Sequence, residues 1–327
     1  MLKLFHTDNH KTHEVSEITE GTWIKLQSPT NEEARRVAEA LNVEFNDVMA
    51  AIDPEEKTRI EIFNDYTLII TDIPVKEMRH HEETYKTIPL GIIFNRENIV
   101  TICSEDTPLI NYFHENEIKD FSTKKRLNFI YQIMLRTSMF YQRALTDVDK
   151  KRVEFEEHIG TVRSESDLVK IHELESALVY FMTSLRGNNN VINRLARSNL
   201  LSHYPEDREL LDDVIIENQQ AIEMAQIYRE IIDGTRELIS SIMNLRMNHV
   251  MKSLTSITVI FSIPMIISGM YGMNVDAKWM PLAQAVHGFG IIGLVTIFVC
   301  IIAFVILKKN KMNLLFPYFS YNLANRK

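Results

Sequence analysis

Glycine and cysteine are scarce in this sequence, and motifs that bind phosphate groups are missing. Only 10 of the 327 residues are glycine, under half of the usual share of about 7%. No G-x-x-x-x-G-K-[ST] motif occurs, and the G-x-G-x-x-G match from Gly288 to Gly293 lies in a long apolar run without a preceding strand. A nucleotide-binding loop is therefore not expected. The two cysteines, Cys103 and Cys300, lie far apart, which excludes a disulfide scaffold and a cysteine-based zinc site.

Acidic side chains are almost absent from the C-terminal quarter of the chain. Residues 253–327 hold one acidic side chain, Asp276, against six basic ones, a net charge of +5. The formal charge of the whole chain is −8, which leaves −13 for residues 1–252. An acidic domain argues against nucleic acid as a partner. The chain therefore consists of two parts with different chemistry.

Two long uncharged segments lie in the C-terminal part. Residues 253–271 and 279–307 are each long enough to cross the ~30 Å hydrocarbon layer as a helix, although a buried core helix is the alternative for either one alone. Basic residues flank the pair of segments: Arg246, Lys252, Lys308, Lys309 and Lys311. Because basic segments stay in the cytoplasm, both termini are expected in the cytoplasm and the short connecting loop outside. The membrane is expected to be the cell (inner or plasma) membrane.

The N-terminal part has the pattern of an α/β domain followed by long helices. A capping box from Thr30 to Glu33 predicts a helix to about Leu41. Strand pairs are predicted at 59–63 with 66–73 and at 89–94 with 98–103. Long charged helices are predicted at 122–158, 166–185 and 205–271. The last helix, if unbroken, is ~100 Å long and is able to transmit movement between water and membrane.

The predicted fold class is an α+β membrane protein with an N-terminal α/β cytoplasmic domain, a long helical stalk and two C-terminal transmembrane helices per subunit. The predicted segments are a cytoplasmic α/β domain (1–106), a cytoplasmic long-helix region and stalk (107–252), a first transmembrane helix (253–275), an external loop (276–283), a second transmembrane helix (284–307) and a basic cytoplasmic tail (308–327). No Ser/His/Asp or Cys/His constellation is evident, so an enzyme is not expected.

One face of the first predicted span is polar. At about 100° per residue, five side chains fall within an arc of about 80°: Asn248, Met251, Thr255, Thr258 and Ser262. In a ring of identical helices this face would line a shared pore. The alternative is that the hydroxyl groups bond carbonyls of their own helix or connect it to a neighbouring helix.

The first span ends in Tyr271-Gly272-Met273-Asn274, and here the sequence resembles the CorA-type magnesium transporter family. The hallmark of that family is Gly-Met-Asn, usually after tyrosine, at the end of the first of two C-terminal spans. The segment from Asn248 to Lys252 is similar to the family's motif at the start of the pore helix. The resemblance covers essentially the whole chain, and the membrane motif is its most specific part.

The resemblance implies a homopentamer in the lipid bilayer that carries Mg²⁺ inward. Five Asn274 carboxamides would accept hydrogen bonds from the water shell of the ion, which Mg²⁺ gives up reluctantly. A neutral ring also releases a divalent cation more easily than a ring of carboxylates. Gly272 would let the backbone turn sharply, and Met273 would brace Asn274. Asn248 would form a second polar ring and Met251 a constriction.

The membrane potential is the expected driving force. A divalent ion gains about 4.6 kcal/mol on entry at 100 mV, so neither ATP, a coupled ion nor an organic cofactor is expected. The resemblance also implies a regulatory Mg²⁺ that binds between the acidic subunits and closes the pore. Asp213 matches an acidic residue of the family's sensing site, with Asp72 and Glu77 as candidate partners. The alternative is that Asp213 stabilises the dipole of its helix.

Two other functions stay open at this point. Relatives that carry zinc share Gly-Met-Asn, and Co²⁺ or Ni²⁺ often pass as well, so the same fold with another ion is one alternative. The external loop has only Asp276, offset by Lys278, and lacks the acidic Met-Pro-Glu-type sequence of many relatives. The alternative of another class is a membrane-anchored scaffold or sensor without flux, which would tolerate the loss of Asn274. A membrane-tethered hydrolase ranks last.

Overall fold

The computed structural model describes residues 1–8, 11–79, 82–115, 118, 121–157, 165–197, 205–282 and 285–309. Within these ranges the chain forms seven β-strands and seven α-helices. It separates into two compact units, of which the first is Met1–Arg236 and the second begins at Glu237.

A seven-stranded sheet forms the centre of the first unit. Its strands are β1 (Leu2–Asp8), β2 (Lys11–Val15), β3 (Trp23–Gln27), β4 (Arg59–Ile62), β5 (Thr67–Arg79), β6 (Glu82–Phe94) and β7 (Ile99–Cys103). The strand order is β2-β1-β3-β7-β6-β5-β4. The pair β3–β7 is parallel, with Trp23 opposite Ile99, and the other neighbours are antiparallel. A parallel pair requires a long crossover connection, which the chain between these two strands supplies.

Two α-helices lie between β3 and β4, and the other α-helices follow β7. The last two α-helices lie in the C-terminal unit in whole or in part. They are α1 (Asn31–Leu41), α2 (Phe45–Ala50), α3 (Pro108–His114), α4 (Arg126–Glu157), α5 (Glu165–Arg197), α6 (Pro205–Tyr271) and α7 (Gly288–Lys309). A short 3₁₀ turn, Ala277–Trp279, lies between α6 and α7.

Both faces of the sheet are buried, as the alternation along β7 illustrates. Val100 and Ile102 belong to the core beneath α1 and α2, whereas Ile99 and Cys103 belong to the core beneath the longer helices. Successive side chains of a strand point to opposite faces, so a strand covered on both faces is apolar at nearly every position. Trp23 is fully buried in the core beneath the longer helices.

Helix α5 docks on β5 through specific polar contacts where β5 extends beyond the short strand β4. The Asp72 N–H donates to Asn188 Oδ1 at 2.8 Å, and Asn188 Nδ2 donates to the Asp72 carbonyl at 2.8 Å. Ser184 Oγ donates to the Asp72 carboxyl at 2.6 Å. A Cβ on Gly187 would lie 2.3 Å from Thr58 Oγ1, so a side chain at this helical position would clash. The amide of Asn188 thus takes the place of a further strand.

Most predicted elements are confirmed, including the capping box and the longest helix. Glu33 N–H donates to Thr30 Oγ1, and α6 is continuous from Pro205 to Tyr271. The predicted end of α5 at residue 185 is wrong, because the helix continues to Arg197. The Gly187-to-Asn190 run has low helix propensity, but the contacts of Asn188 with Asp72 stabilise it in place.

Candidate functional site

The residues predicted to form the site lie on α6 or directly after it. Asp213 lies near the beginning of α6, and the polar stripe, defined as Asn248, Met251, Thr255, Thr258 and Ser262, lies in its second half. The segment Gly272 to Asn274 follows the last helical residue, Tyr271. The structure thus arranges the predicted pore residues along one helix and its C-terminal end.

Helix α7 covers one face of α6. Ile260 and Pro264 of α6 line an apolar cleft of about 410 Å³ together with residues of α7. Other residues on the same face of α6 are also buried or half-buried: Ser253, Ser256 and Ile267. At about 100° per residue, the centre of this face lies about 160° from the centre of the polar stripe.

The polar stripe is uncovered in the single protomer. Asn248, Thr255 and Thr258 are exposed, Met251 is 53% exposed, and Ser262 is half-buried. A polar face that turns away from the partner helix of its own chain is available to other copies of α6.

The hydroxyl groups of the stripe bond the backbone of their own helix. Thr255 Oγ1 donates to the Met251 carbonyl at 2.8 Å, and Thr258 Oγ1 donates to the Leu254 carbonyl at 2.9 Å. Ser262 Oγ donates to the Val259 carbonyl, three residues earlier, at 2.8 Å. The hydroxyl protons of these residues are therefore donated to carbonyls of their own helix, as the alternative to a pore-lining face predicts. Each hydroxyl oxygen retains acceptor capacity, so a ring of these residues still offers oxygen atoms to water.

Gly272 lies at the turn by which the chain leaves α6. The Gly272 N–H donates to the Ser268 carbonyl at 2.9 Å. Gly272 does not adopt the left-handed conformation that favours glycine. A Cβ at this position would instead lie 3.3 Å from the Ser268 carbonyl oxygen, closer than ordinary van der Waals contact. Glycine therefore permits a close approach of backbone to backbone where the chain turns out of the helix.

Asn274 is exposed and lies outside the helix, in a segment connected to the far side of the loop. The Tyr271 hydroxyl donates to the Pro281 carbonyl at 2.5 Å, which connects the end of α6 to the residues beyond the 3₁₀ turn. Met273 is 59% exposed. The bracing of Asn274 by Met273 stays a prediction.

Asp213 is exposed on α6, and the two candidate partners have other contacts. Burial raises the pKa of Asp72, and the hydrogen bond from Ser184 opposes that shift only in part. Glu77 forms an ion pair with Arg79 at 2.7 Å. Among the described residues, no group of three or more His, Cys, Asp or Glu side chains is arranged to hold a metal ion.

Cys300 of α7 was not singled out from the sequence. Its Sγ lies 3.8 Å from the carbonyl oxygen of Ile260 on α6. The available signal was Pro264, which stands four residues after Ile260 and lacks the N–H that would bond this carbonyl.

These features define a protein with two helices able to span a membrane and a polar stripe on the first of them. Helices α6 and α7 are long and apolar enough to cross a membrane by length and composition, with mean hydropathies of 1.8 and 3.1 in their most apolar windows. The model of the CorA-like Mg²⁺ transporter protein family matches residues 19–309. The chain therefore belongs to the CorA-like Mg²⁺ transporter family, and it is a membrane protein.

Individual relatives agree with this assignment. The cobalt/magnesium transport protein CorA of Methanocaldococcus jannaschii is 32% identical over 278 residues, which cover 83% of this chain and 84% of the relative. The protein of the same description from Thermotoga maritima is 22% identical over 297 residues, 89% of this chain and 83% of the relative. The complete structure of the CorA magnesium transporter from M. jannaschii has a TM-score of 0.80 at 26% identity, and the match covers 96% of this chain and 99% of that one. The predicted family and fold class are confirmed.

Proposed function

We propose that this protein is a homopentameric channel through which Mg²⁺ enters the cell, driven by the membrane potential. The observation that carries the proposal is the orientation of the polar stripe, about 160° from the face that α7 covers. Polar side chains of a membrane helix face a bundle interior or a water-filled path far more often than lipid. Five copies of α6 around an axis give the stripe such a path.

Asn274 is the selecting residue in this proposal. Five carboxamide oxygens accept hydrogen bonds from the waters of an intact Mg²⁺ hydration shell, so the ion does not have to lose its water. The ring carries no charge, so the ion binds weakly enough to move on. The exposure of Asn274 in the protomer is compatible with contact to hydrated ions.

The stripe supplies the rest of the path. Thr255, Thr258 and Ser262 present hydroxyl oxygens whose protons are already donated to the helix backbone, so these groups act as acceptors toward water. Met251 forms an apolar constriction, and Asn248 forms a second ring of carboxamides below it.

Both termini lie in the cytoplasm, and Asn274 faces the outside. The support is the position of basic residues such as Arg246 and Lys252 before the first span and Lys308 after the second. With this orientation an inside-negative potential drives the ion inward, with about 4.6 kcal/mol at 100 mV.

Cytoplasmic Mg²⁺ closes the pore by binding between subunits. The −13 charge of residues 1–252 makes packed subunits repel one another, and divalent ions offset that repulsion. Asp212 and Asp213 are exposed on α6 and are available to an ion shared with a neighbouring copy. When internal Mg²⁺ falls, the ions leave and the repulsion favours the open arrangement.

Co²⁺ is the second ion proposed for this pore. Both curated relatives are described as cobalt/magnesium transport proteins. Co²⁺ has the same charge as Mg²⁺ and also prefers oxygen and nitrogen ligands, so a ring that contacts only the water shell discriminates weakly between them.

The test is ion uptake into proteoliposomes that contain the purified protein and have an inside-negative potential. Mg²⁺, Co²⁺ and Zn²⁺ are compared for wild type, Asn274→Ala and a control, Ser268→Ala. Ser268 bonds the Met265 carbonyl of its own helix and lies outside the stripe, so the control should transport normally. Loss of Mg²⁺ uptake in Asn274→Ala alone supports the proposal. Preference for Zn²⁺ would change the substrate, and no uptake of any ion by folded oligomers would favour the scaffold alternative.

A further inference from the structure

Pro264 interrupts the hydrogen bonding of α6 in its apolar half. A proline has no backbone N–H, so the carbonyl of the residue four positions earlier, Ile260, loses its ordinary helical donor. In lipid no water replaces that donor, and a neighbouring helix or a side chain has to do so.

Cys300 of α7 lies where such a donor is needed. Its Sγ is 3.8 Å from the Ile260 carbonyl oxygen, and the side chain is only partly exposed. The surrounding cleft is apolar, with Ile297, Ile301 and Phe304 among its lining residues. In surroundings of this kind even a weak S–H donor lowers the cost of a carbonyl without a partner.

The position of this contact relates it to the ion path. Ile260 lies on the α7-covered face of α6, about 160° from the centre of the polar stripe. A bond from α7 to this face restrains rotation of α6 about its own axis. Because the stripe is on the far side of the same helix, the restraint also fixes the direction in which the stripe points.

We propose that the Cys300 thiol is a positioning group that bonds the carbonyl left free by Pro264 and holds the polar stripe toward the pore axis. The transport consequence rests on the proposed function, whereas the hydrogen bond itself does not. Cys300 contacts neither the ion nor its water shell in this scheme, and it acts through the orientation of α6.

The first test is a double-mutant cycle in the full-length protein in proteoliposomes. Cys300→Ala is expected to lower potential-driven Mg²⁺ uptake about two- to fivefold, the factor that a weak S–H···O bond supports. Cys300→Ser retains a donor and should restore uptake. Pro264→Ala restores the helical N–H, so in that background Cys300→Ala should have no further effect. Thr296→Val is the control, because Thr296 bonds Ile292 of its own helix at 2.8 Å.

Two results would overturn the inference while wild type transports Mg²⁺. One is uptake by Cys300→Ala equal to that of wild type, and the other is the same decrease in both backgrounds. If wild type carries no Mg²⁺ at all, the proposed function fails, and a measurement without transport then decides the inference.

That second measurement is the infrared S–H stretching band of the protein in membranes. The chain has only two cysteines, so the difference between wild type and Cys300→Ala isolates the band of Cys300. A hydrogen-bonded thiol absorbs at a lower frequency than a free one. The band is expected at the bonded position in wild type and at the free position in Pro264→Ala. A free-thiol band in wild type would contradict the proposed bond.

Discussion

Thr235 of α6 donates a hydrogen bond of 2.5 Å to Glu156 of α4. Glu156 also forms an ion pair with Arg152 at 2.7 Å, and Arg152 is bound in turn by Asp149 at 2.7 Å. Burial alone would raise the pKa of Glu156, but the bonds from Thr235 and Arg152 lower it below its ordinary value. Helix α6 is thus connected to α4 by a charged network close to the end of the first compact unit.

Thr235→Val should destabilise the protein at neutral pH by about 1–2 kcal/mol, because it removes a hydrogen bond to a charged carboxylate. A lowered pKa means that this stabilisation is present above the ordinary carboxyl pKa and disappears as the pH falls through the lowered value. The difference in thermal unfolding between wild type and Thr235→Val should therefore shrink in acid. Thr146→Val is the matched control, since Thr146 bonds the Gln142 carbonyl of its own helix. A difference that does not change with pH would contradict the role given to Glu156.

Asp72→Asn should raise the unfolding temperature at pH 7. Burial raises the pKa of Asp72, so the ionised form is penalised in the folded protein at every pH above that raised value. An asparagine avoids the charge and retains an oxygen that accepts from Ser184. Because the pKa of Asp72 is raised, the gain in unfolding temperature should fade as the pH falls and the wild-type carboxyl binds its proton. Thermal unfolding scans across that pH range measure the difference. Lower stability of Asp72→Asn at pH 7 would show that the carboxylate has a partner of its own.

Replacing Thr255 and Thr258 together by valine should lower Mg²⁺ uptake roughly thirtyfold, since two acceptors worth about 1 kcal/mol each disappear from the pore wall. Valine has nearly the volume of threonine, so helix packing changes little. Thr255 and Thr258 are exposed in the protomer, so the substitution adds no buried cavity. Uptake equal to wild type would assign the stripe to the alternative, in which the hydroxyls serve only their own helix.

Asp212→Asn combined with Asp213→Asn should weaken the inhibition of uptake by Mg²⁺ inside the vesicles. Removal of two acids lowers both the affinity for a shared ion and the repulsion between subunits. Glu223→Gln with Glu230→Gln is the control, because it removes the same charge from exposed positions of the same helix. The concentration of internal Mg²⁺ that halves uptake is the quantity to compare. An unchanged value in the aspartate variant would remove these residues from the sensing site.

The elements that could be predicted from the sequence are those with a local signal. The capping box at Thr30, the breaker-poor run of α6 and the Tyr271-to-Asn274 motif are each contained in a few neighbouring residues. Strands β1, β2 and β3 were not predicted, and β5 and β6 are longer than their predicted counterparts. Pairing between strands depends on partners distant in sequence, which a local pattern does not contain.

The parts of the site that were missed depend on contacts between elements. The pairing of Asn188 with the backbone of Asp72 joins residues 116 positions apart. The contact of Cys300 with Ile260 joins residues that are 40 positions apart and lie on two different helices. In both cases one polar group compensates for a backbone group without its regular partner, and only the folded arrangement shows which side chain is near enough.

In the proposed function, α6 lines a path through which the membrane potential drives Mg²⁺. The measurement is the initial rate of Mg²⁺ uptake into proteoliposomes of wild-type protein at a series of potentials imposed by K⁺ diffusion, without ATP and without a proton or sodium gradient. Uptake is expected to increase steadily as the interior becomes more negative, because a divalent ion gains about 4.6 kcal/mol per 100 mV. A rate that does not depend on the potential, or no uptake by folded oligomers at any potential, would contradict it.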